Sequence, residues 1–404
     1  MSKRKETEFG TIPIHWDFIK ASEYCSKVTD GTHDSPKQQT TGRYLITSKH
    51  IKGREIDFES AYLISQEDFE KINKRSYVER WDVIISMIGE YCGFTYIERN
   101  EKIDYAVKNV GLFKTGSELN ALWLHYFLNS TIGKYILDIN KSGSSQPYIA
   151  LGSLRELPIL IPPLNEKTAI VSILSSLEDK IDLLHRQNAT LEKMAETLFR
   201  QWFVEEAKEE WEMGKVSDLI KILSGFAFKS SSFVESGKYR LITIKGVQDG
   251  YLELNNADKI EELPDRMPDF CKLQIGDILL SLTGNVGRCC LVDTTDLLLN
   301  QRVAKLHPIN ERDRAYTYFL FRQPQIKQLL EEMGKGTAQS NLSPIETSNM
   351  ELIIPDKEKL TEFSTIATPW LNKLLFNKKA IQTLSNLRDS LLPKLMSGEV
   401  TVEI

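Results

Sequence analysis

The chain has 404 residues, of which 41% are hydrophobic and 26% charged, a balance typical of a globular protein and not of a disordered or collagen-like one. This length predicts about two or three domains. The net charge of -5 argues mildly against a DNA-binding protein, because such proteins usually carry a basic footprint. No apolar run approaches the roughly 20 residues of a membrane helix, and no secretory signal opens the chain. We therefore expect a cytoplasmic protein without membrane contact.

The first half of the sequence predicts a mixed globular part followed by one long helix. Short β-rich runs lie at 44–46, 83–88 and 110–113, and a helical stretch at 119–129. A Gly-Ser-rich loop then begins at Gly143, and a short strand ends in the proline pair 162–163. Asn165 is a good N-cap, so the long helix is predicted from there to about Val204.

The second half repeats the first. The matched blocks are 45–47 with 241–243, 82–89 with 277–284, 143–146 with 336–339, and 157–162 with 350–355. Their order is kept and their offset drifts only from 196 to 193, so the repeat is real. It predicts strands at 239–244 and 278–282, helix at 314–332, and a second long helix from Asp356 that Pro393 kinks or ends. Two modules acting on two similar targets, or an old duplication without present meaning, both fit.

Both long helices carry apolar residues at alternating spacings of three and four, which indicates a coiled-coil seam. The seam residues are Leu177, Ile181, Leu184, Asn188 and Leu191 in the first helix, and Trp370, Leu374, Asn377, Ile381 and Leu384 in the second. Each helix packing only on its own domain is the alternative. We favour antiparallel pairing of the two, with the asparagines fixing the register. About 33 helical residues span ~50 Å, enough for a spacer between two globular parts.

Polar loops in both halves are the candidate ligand-binding segments. The loop 30–36 and the repeated loops at 143–148 and 336–341 carry groups that hydrogen-bond base edges or phosphates. Turn formation or capping explains these loops equally well from their chemistry alone. If they read DNA, the contacts we select are Thr32, His33, Ser35, Lys37, Ser144, Gln146, Lys229, Arg302, Thr337 and Gln339.

Signatures of catalysis and metal binding are missing from the sequence. Its five cysteines form no C-x-x-C pair, and its six histidines lack metal-binding spacing, so we expect reduced thiols and no metal site. No phosphate-binding glycine motif occurs. The run 356–359 superficially suggests a nuclease, but the first half has no equivalent. We expect no catalytic residue in this chain.

Taken together, these blocks resemble the specificity subunit of Type I restriction-modification systems. The resemblance rests on 30–36, the strands at 81–89 and 276–284, the Gly-x-x-Gln loops, and 157–167, and it covers about residues 11 to 398. It implies an α+β fold with two similar α/β target recognition domains, 1–164 and 214–355. Between them it implies two long antiparallel coiled-coil helices, 165–213 and 356–404, in a pseudo-two-fold repeat. The family often has Glu-Gln where this chain has Glu166-Lys167.

The resemblance also implies a non-catalytic role. Each domain would read one half of a bipartite double-stranded DNA target, and the helices would set the spacer. The chain would bind two methyltransferase subunits and, in the full complex, restriction subunits. It would hold no cofactor, since S-adenosylmethionine would belong to the methyltransferase. A self-contained enzyme and a protein-binding adaptor are the competing interpretations, and neither the target sequence nor the spacer length follows from the sequence.

The distribution of charge sharpens this expectation. Residues 166–213 carry 6 basic and 11 acidic side chains, whereas residues 1–165 carry 21 of each. The acidic helix therefore fits contact with protein partners, and the recognition domains are near neutral. We expect this chain alone to bind DNA weakly, with partner subunits supplying the phosphate contacts.

Overall fold

The structure is a computed structural model that describes residues 3–53, 55–334 and 341–402. Its contacts divide the chain into two compact units: unit 1 is residues 1–180 with 384–404, and unit 2 is residues 181–383. Both boundaries fall inside the long helices. The four segments predicted from the sequence separate helices from globular parts, whereas the contacts assign each helix in part to both units.

Unit 1 alternates short strands and helices. Its strands are β1 (Arg4–Thr7), β2 (Gly10–Pro13), β3 (Asp17–Lys20), β4 (Lys27–Asp30), β5 (Arg43–Thr47), β6 (Tyr62–Ile64), β7 (Asp82–Ser86), β8 (Thr95–Ile97), β9 (Tyr105–Lys108), β10 (Val110–Lys114) and β11 (Pro158–Ile161). Its shorter helices are α1 (Ala21–Tyr24), α2 (Gln66–Ser76), α3 (Glu118–Asn129), α4 (Thr131–Ile139) and α5 (Leu151–Glu156). The long helix α6 (Leu164–Arg200) follows and continues into unit 2.

Unit 2 has the same kind of order. Its strands are β12 (Met213–Lys215), β13 (Ile220–Ser224), β14 (Tyr239–Ile242), β15 (Lys259–Ile260), β16 (Ile278–Ser281), β17 (Cys289–Leu291), β18 (Leu297–Leu299), β19 (Val303–Pro308) and β20 (Glu351–Ile353). Its helices are α7 (Val216–Leu219), α8 (Arg314–Phe321), α9 (Pro324–Gly334) and α10 (Pro344–Ser348), followed by the long helix α11 (Lys357–Met396), which ends in unit 1.

The sequence repeat is a repeat of topology. The four-stranded sheet β4-β10-β7-β8 of unit 1 recurs in unit 2 as β13-β19-β16-β17. The three-stranded sheet β6-β5-β9 recurs as β15-β14-β18, each with one parallel pair. A two-stranded ladder before the long helix also recurs, β3 with β11 and β12 with β20. The predicted α+β fold with an internal repeat is thus confirmed.

Central strands are apolar on both faces because two layers cover them. In β7, Val83 and Ile85 face a core shared with α3, while Ile84 faces the three-stranded sheet. In β16, Leu280 and Leu279 divide between the equivalent layers of unit 2. A strand buried on both sides reads as a continuous hydrophobic run, which is the pattern that made these segments recognisable in the sequence.

Prolines and caps account for the differences from the predicted helices. Lys167 N donates to Pro163 O, so α6 begins at Leu164 and Asn165 lies in its first turn instead of capping it. The predicted stretch 314–332 is two helices, because Pro324 begins a new one at a position where its missing N–H costs nothing. Pro393 does not end α11, which continues to Met396.

Each long helix completes the hydrophobic cores of both units. α6 contributes Ile170, Val171 and Leu174 to unit 1 and Ala195 and Phe199 to unit 2, while α11 contributes Phe363, Ala367, Leu371 and Leu374 to unit 2 and Leu395 and Met396 to unit 1. All five cysteines are buried and free. Within the part of the chain that the structure describes, no helix is long and apolar enough to cross a membrane.

Replacing a core residue at the end of α11 tests this arrangement. Leu395 is 2% exposed in the core of unit 1, so Leu395→Ala should lower the free energy of unfolding by ~2–4 kcal/mol. Hydrogen exchange of the β2 amides, which lie in the same unit, measures the effect. The control Leu387→Ala changes a residue of the same helix that is 44% exposed, and should shift the stability by less than ~0.5 kcal/mol. Equal effects would contradict the assignment of Leu395 to that core.

Candidate nucleic-acid interface

Several loops of unit 1 meet at one end of its sheets. We call this end the loop edge of unit 1: the ends of β4, β5, β7 and β9 and the starts of β8 and β10. Ser48, just after β5, donates its hydroxyl to Asn109 O at 2.5 Å and accepts from Met87 N at 3.1 Å. Asn109 N in turn donates to Thr32 O at 3.2 Å. One hydroxyl and one turn residue therefore tie three loops together.

A buried carboxylate organises the loop that follows β4. Asp30, whose side chain is only 4% exposed, accepts from Arg75 at 2.5 Å and lies 3.0 Å from His33 Nε2. His33 Nδ1 lies 3.0 Å from Asn109 Oδ1. Both ring nitrogens thus have partners inside the protein, so His33 orders the loop, while its side chain is 64% exposed and its contact with DNA stays a prediction.

The structure places the other predicted contacts of unit 1 on the same edge. Ser35 Oγ accepts from Lys108 at 2.6 Å, and Lys37 is exposed on the same loop. Ser144 and Gln146 are exposed on the loop 142–148. That loop reaches the edge through two main-chain bonds, Gly89 N to Pro147 O at 2.8 Å and Ile149 N to Met87 O at 2.9 Å.

Unit 2 builds an equivalent edge from the ends of β13, β14, β16 and β18 and the starts of β17 and β19. Leu282 N donates to Arg302 O at 3.0 Å, and Leu342 N to Leu282 O at 2.7 Å. Arg302 is exposed there, and Lys229 is exposed on the loop after β13. Thr337 and Gln339, the other predicted contacts of this half, lie outside the described residues.

The two edges share one main-chain anchor, which requires glycine. Gly31 N donates to Val110 O at 2.8 Å, and Gly225 N to Val303 O at 3.0 Å. A Cβ on Gly31 would lie 2.5 Å from Val107 O, and a Cβ on Gly225 would come closer still to Asn300 O. Any side chain at these positions would collide with backbone atoms. The loops after β4 and β13 therefore start from the same fixed backbone position in the two units.

The structure draws attention to Tyr148 and Asn341, which end the predicted loops 143–148 and 336–341 but were not among the selected contacts. Tyr148 bridges to Ile88 in unit 1, and Asn341 bridges to Thr283 in unit 2. Both are exposed. The offset of 193 that aligns the Gly-x-x-Gln loops also aligns these two residues, so the signal was present in the sequence. A tyrosine in one half and an asparagine in the other offer different hydrogen-bonding groups to a ligand.

The two long helices contact each other through a buried pair of asparagines in unit 2. Asn377 Nδ2 donates to Asn188 Oδ1 at 2.9 Å, and the residues are 0% and 9% exposed. Further along, the rings of Phe199 and Phe363 lie 5.7 Å apart. From the asparagine pair to the phenylalanine pair, the residue numbers rise along α6 and fall along α11, so the two helices pair antiparallel within unit 2.

The other seam residues vary in burial. Ile181, Leu184 and Leu374 are buried, while Leu177, Leu191, Trp370, Ile381 and Leu384 are half-buried. Leu371 is 1% exposed in the core of unit 2 and was missed, because it falls one residue off the predicted spacing.

Carboxylates of α6 are bonded to the globular part of each unit. In unit 2, Tyr318 OH donates to Glu192 at 3.2 Å, and Arg322 lies 3.4 Å from Glu196. In unit 1, Tyr126 OH donates to Glu178 at 2.9 Å, and the bond is buried. These acidic residues therefore bind α6 to the globular parts of units 1 and 2.

An indole and a carboxylate mark the start of both long helices. Trp16 Nε1 donates to Glu166 at 2.9 Å in unit 1, and Trp211 Nε1 to Asp356 at 3.1 Å in unit 2. Asp356 also accepts from Lys208 and from Lys359 N, and these bonds, first that of Lys208, lower its pKa to about 2. Asp356 is thus a helix cap and not a nuclease carboxylate.

Comparisons with known proteins agree with this geometry. The family model described as Type I restriction modification DNA specificity domain matches residues 36–193 and 208–387. The chain belongs to that family.

Relatives of the specificity family extend over nearly the whole chain. It is 25% identical over 429 residues to the Type I restriction enzyme MjaIX specificity subunit of Methanocaldococcus jannaschii, covering 99% of this chain and 96% of the relative. It is 22% identical over 353 residues to the HindI specificity subunit of Haemophilus influenzae, covering 69% and 77%. The crystal structure of an S subunit from M. genitalium superposes with a TM-score of 0.61 at 15% identity, covering 96% of each chain, which shows the same fold.

Lys167, where the specificity family often has glutamine, is buried as a cation. It donates to Tyr24 OH at 2.9 Å and to Asn120 Oδ1 at 2.5 Å, in place of an amide. Burial lowers its pKa to about 8. The departure from the family pattern is thus accommodated by two neutral acceptors. Among the described residues, no group of His, Cys, Asp and Glu is arranged to hold a metal ion.

The asparagine pair should show strong coupling. Asn377→Leu alone leaves the buried amide of Asn188 without its hydrogen-bond partner and should cost ~1–3 kcal/mol of stability. Combining Asn188→Leu with Asn377→Leu removes both amides and should recover or exceed the wild-type stability. Urea unfolding of the four proteins of this double-mutant cycle gives the coupling energy. Additive losses would show that the two amides do not interact.

Asp356 should make stability depend on acid pH. Its folded pKa of about 2 lies below the ordinary value near ~3.9, so its carboxylate stabilises the fold fully above that ordinary value. The stabilisation is lost as the pH falls through about 2. We expect Asp356→Ala to cost ~1 kcal/mol at pH 7 and progressively less on acidification. Thermal unfolding from pH 7 to 2.5 measures the difference; Asp389→Ala, on the exposed side of α11, is the control.

Proposed function

We propose that this chain is the DNA sequence-specificity subunit of a Type I restriction-modification complex, with unit 1 and unit 2 each reading one half of a bipartite double-stranded DNA target. The observation that carries the proposal is the repeated fold with unlike loop edges. The strand order and the glycine anchor are the same in both units, whereas matched positions such as Tyr148 and Asn341 differ. Two such edges suit two different half-sites.

The edges offer the chemistry of direct readout. Gln146 can pair bidentately with adenine in the major groove, and an arginine such as Arg302 with guanine. Hydroxyls such as Ser144 suit phosphates or base edges. In this proposal His33 and Asp30 position the loop, while Thr32, Ser35 and Lys37 lie close to the DNA. The corresponding roles in unit 2 fall to Lys229 and to Thr337 and Gln339.

The proposed partners supply the chemistry. Two methyltransferase subunits bind the long helices and carry S-adenosylmethionine, and restriction subunits join in the full complex. The paired helices set the spacer between half-sites. Five exposed glutamates between α6 and β12 suit a protein contact, namely Glu205, Glu206, Glu209, Glu210 and Glu212. This subunit has no catalytic residue of its own and works in the cytoplasm, where the DNA is.

Single substitutions on the two edges should act on different half-sites. Gln146→Ala removes a bidentate donor-acceptor pair from unit 1 and should relax discrimination at one half-site by ~1–3 kcal/mol, about 5- to 150-fold. Arg302→Ala should do the same at the other half-site. Methylation by the assembled complex of duplexes with every single-base change in the selected target gives both profiles.

Gln66→Ala, an exposed glutamine of α2 in the same unit, serves as the control and should leave both profiles unchanged. If Gln146→Ala and Arg302→Ala relaxed the same half-site, the modular proposal would fail. If the assembled complex bound all duplexes equally, the chain would be an adaptor. If the isolated chain methylated or cut DNA, it would be an enzyme.

A further inference from the structure

A basic turn projects from the loop edge of unit 1, next to the predicted contacts and separate from them. The basic turn is residues 48–53, Ser-Lys-His-Ile-Lys-Gly. Ser48 fixes its start on the edge through its bonds to Asn109 O and Met87 N. His50 is buried and accepts from Thr47 N at 2.9 Å, while Lys49 and Lys52 are exposed. The turn thus presents two cations from a fixed base.

Lys52 is held in place by an aromatic ring. Its ammonium lies 4.0 Å from the ring centroid of Tyr91, on the loop between β7 and β8. Such a contact limits the rotamers of a long flexible side chain. Among the described residues, no carboxylate lies within 4 Å of the Lys52 ammonium. Two other cations of this edge have partners within the chain: Lys108 bonds to Ser35, and Arg75 to Asp30.

We propose that the basic turn is a DNA-backbone contact, with the ammonium of Lys52 on a phosphate next to the first half-site and Lys49 beside it. This inference rests on the proposed function. An exposed ammonium that an aromatic ring orients, with no carboxylate within 4 Å among the described residues, is available to a phosphate. Asp57 accepts from Ser60 Oγ at 2.7 Å, a bond that lowers the pKa of Asp57, and the charge of Lys52 lowers that pKa further.

In the described part of unit 2, no lysine lies over an aromatic ring at the matched position. The matched offset of 195 places Val286 where unit 1 has Tyr91, and Val286 is 3% exposed. The corresponding turn carries one lysine, Lys245, with no aromatic ring over it in the described residues. The proposal therefore assigns this particular phosphate contact to unit 1. From the sequence we expect partner subunits to supply the phosphate contacts, and this proposal assigns part of them to this chain.

Salt dependence tests the proposal. The assembled complex is titrated with a duplex carrying its selected target at several salt concentrations. Lys52→Gln should reduce the magnitude of the slope of log K against log salt by about 0.9, the value for one phosphate. The affinity lost between roughly 50 and 200 mM salt then shrinks by about 3.5-fold. The loss at low salt should be the same for all single-base variants of the target, because a phosphate contact reads no base.

Two further variants complete the experiment. Lys52→Arg keeps the charge and the contact with Tyr91 and should restore the wild-type slope. Lys27→Gln removes an exposed lysine at the opposite end of β4 and should change nothing. A wild-type slope for Lys52→Gln, with target selectivity intact, overturns this inference and leaves the proposed function standing. A wild-type complex without target selectivity overturns the proposed function instead.

Discussion

The largest hydrophobic core of each unit is completed by residues of both long helices. Leu174 of α6 and Leu395 of α11 are buried together in unit 1, and Phe199 of α6 and Phe363 of α11 in unit 2. Residues near the C-terminus are thus part of the same hydrophobic core as the first strands of the chain. A globular part cut from its helices would expose apolar side chains over a whole face, at a cost of about 25 cal/mol for each Å². The helices are therefore structural members of the two units and not connectors added between them.

Long-period features could be predicted from the sequence. Three features rest on the pattern of hydrophobic residues: the repeat, the doubly buried strands at Val83 and Leu279, and the two long helices. Burial imposes this pattern on many positions at once, so a single sequence is enough to show it. The register of the helices was also readable, since a lone polar residue in an apolar seam occurs at Asn188 and again at Asn377. Family membership followed from the order of these blocks.

Contacts that depend on one atom pair could not be predicted. The bond from Trp16 to Glu166 joins residues 150 positions apart, and no periodic pattern marks either. The loop edge of unit 1 is joined by main-chain groups and one serine hydroxyl, which any sequence offers in abundance. The internal bonds of His33 could not be predicted either, because nothing in the sequence marks Asn109 as the partner of its Nδ1. The helix start at Pro324 was not predicted, and Pro393 does not end α11, because the effect of a proline depends on its distance from a helix end.

The glycine anchor has a consequence for how such proteins diversify. Gly31 and Gly225 attach the start of their loops through backbone atoms, while in unit 1 the side chains of Asp30, His33 and Ser35 also hold the loop. Mutation can then exchange the exposed loop residues that make no such internal bond, while the start of each loop stays in place. Selection for a new target need not rebuild the scaffold, and two copies that began identical can drift apart in preference while their framework stays the same. A duplicated gene of this kind carries a ready supply of variation at little structural risk.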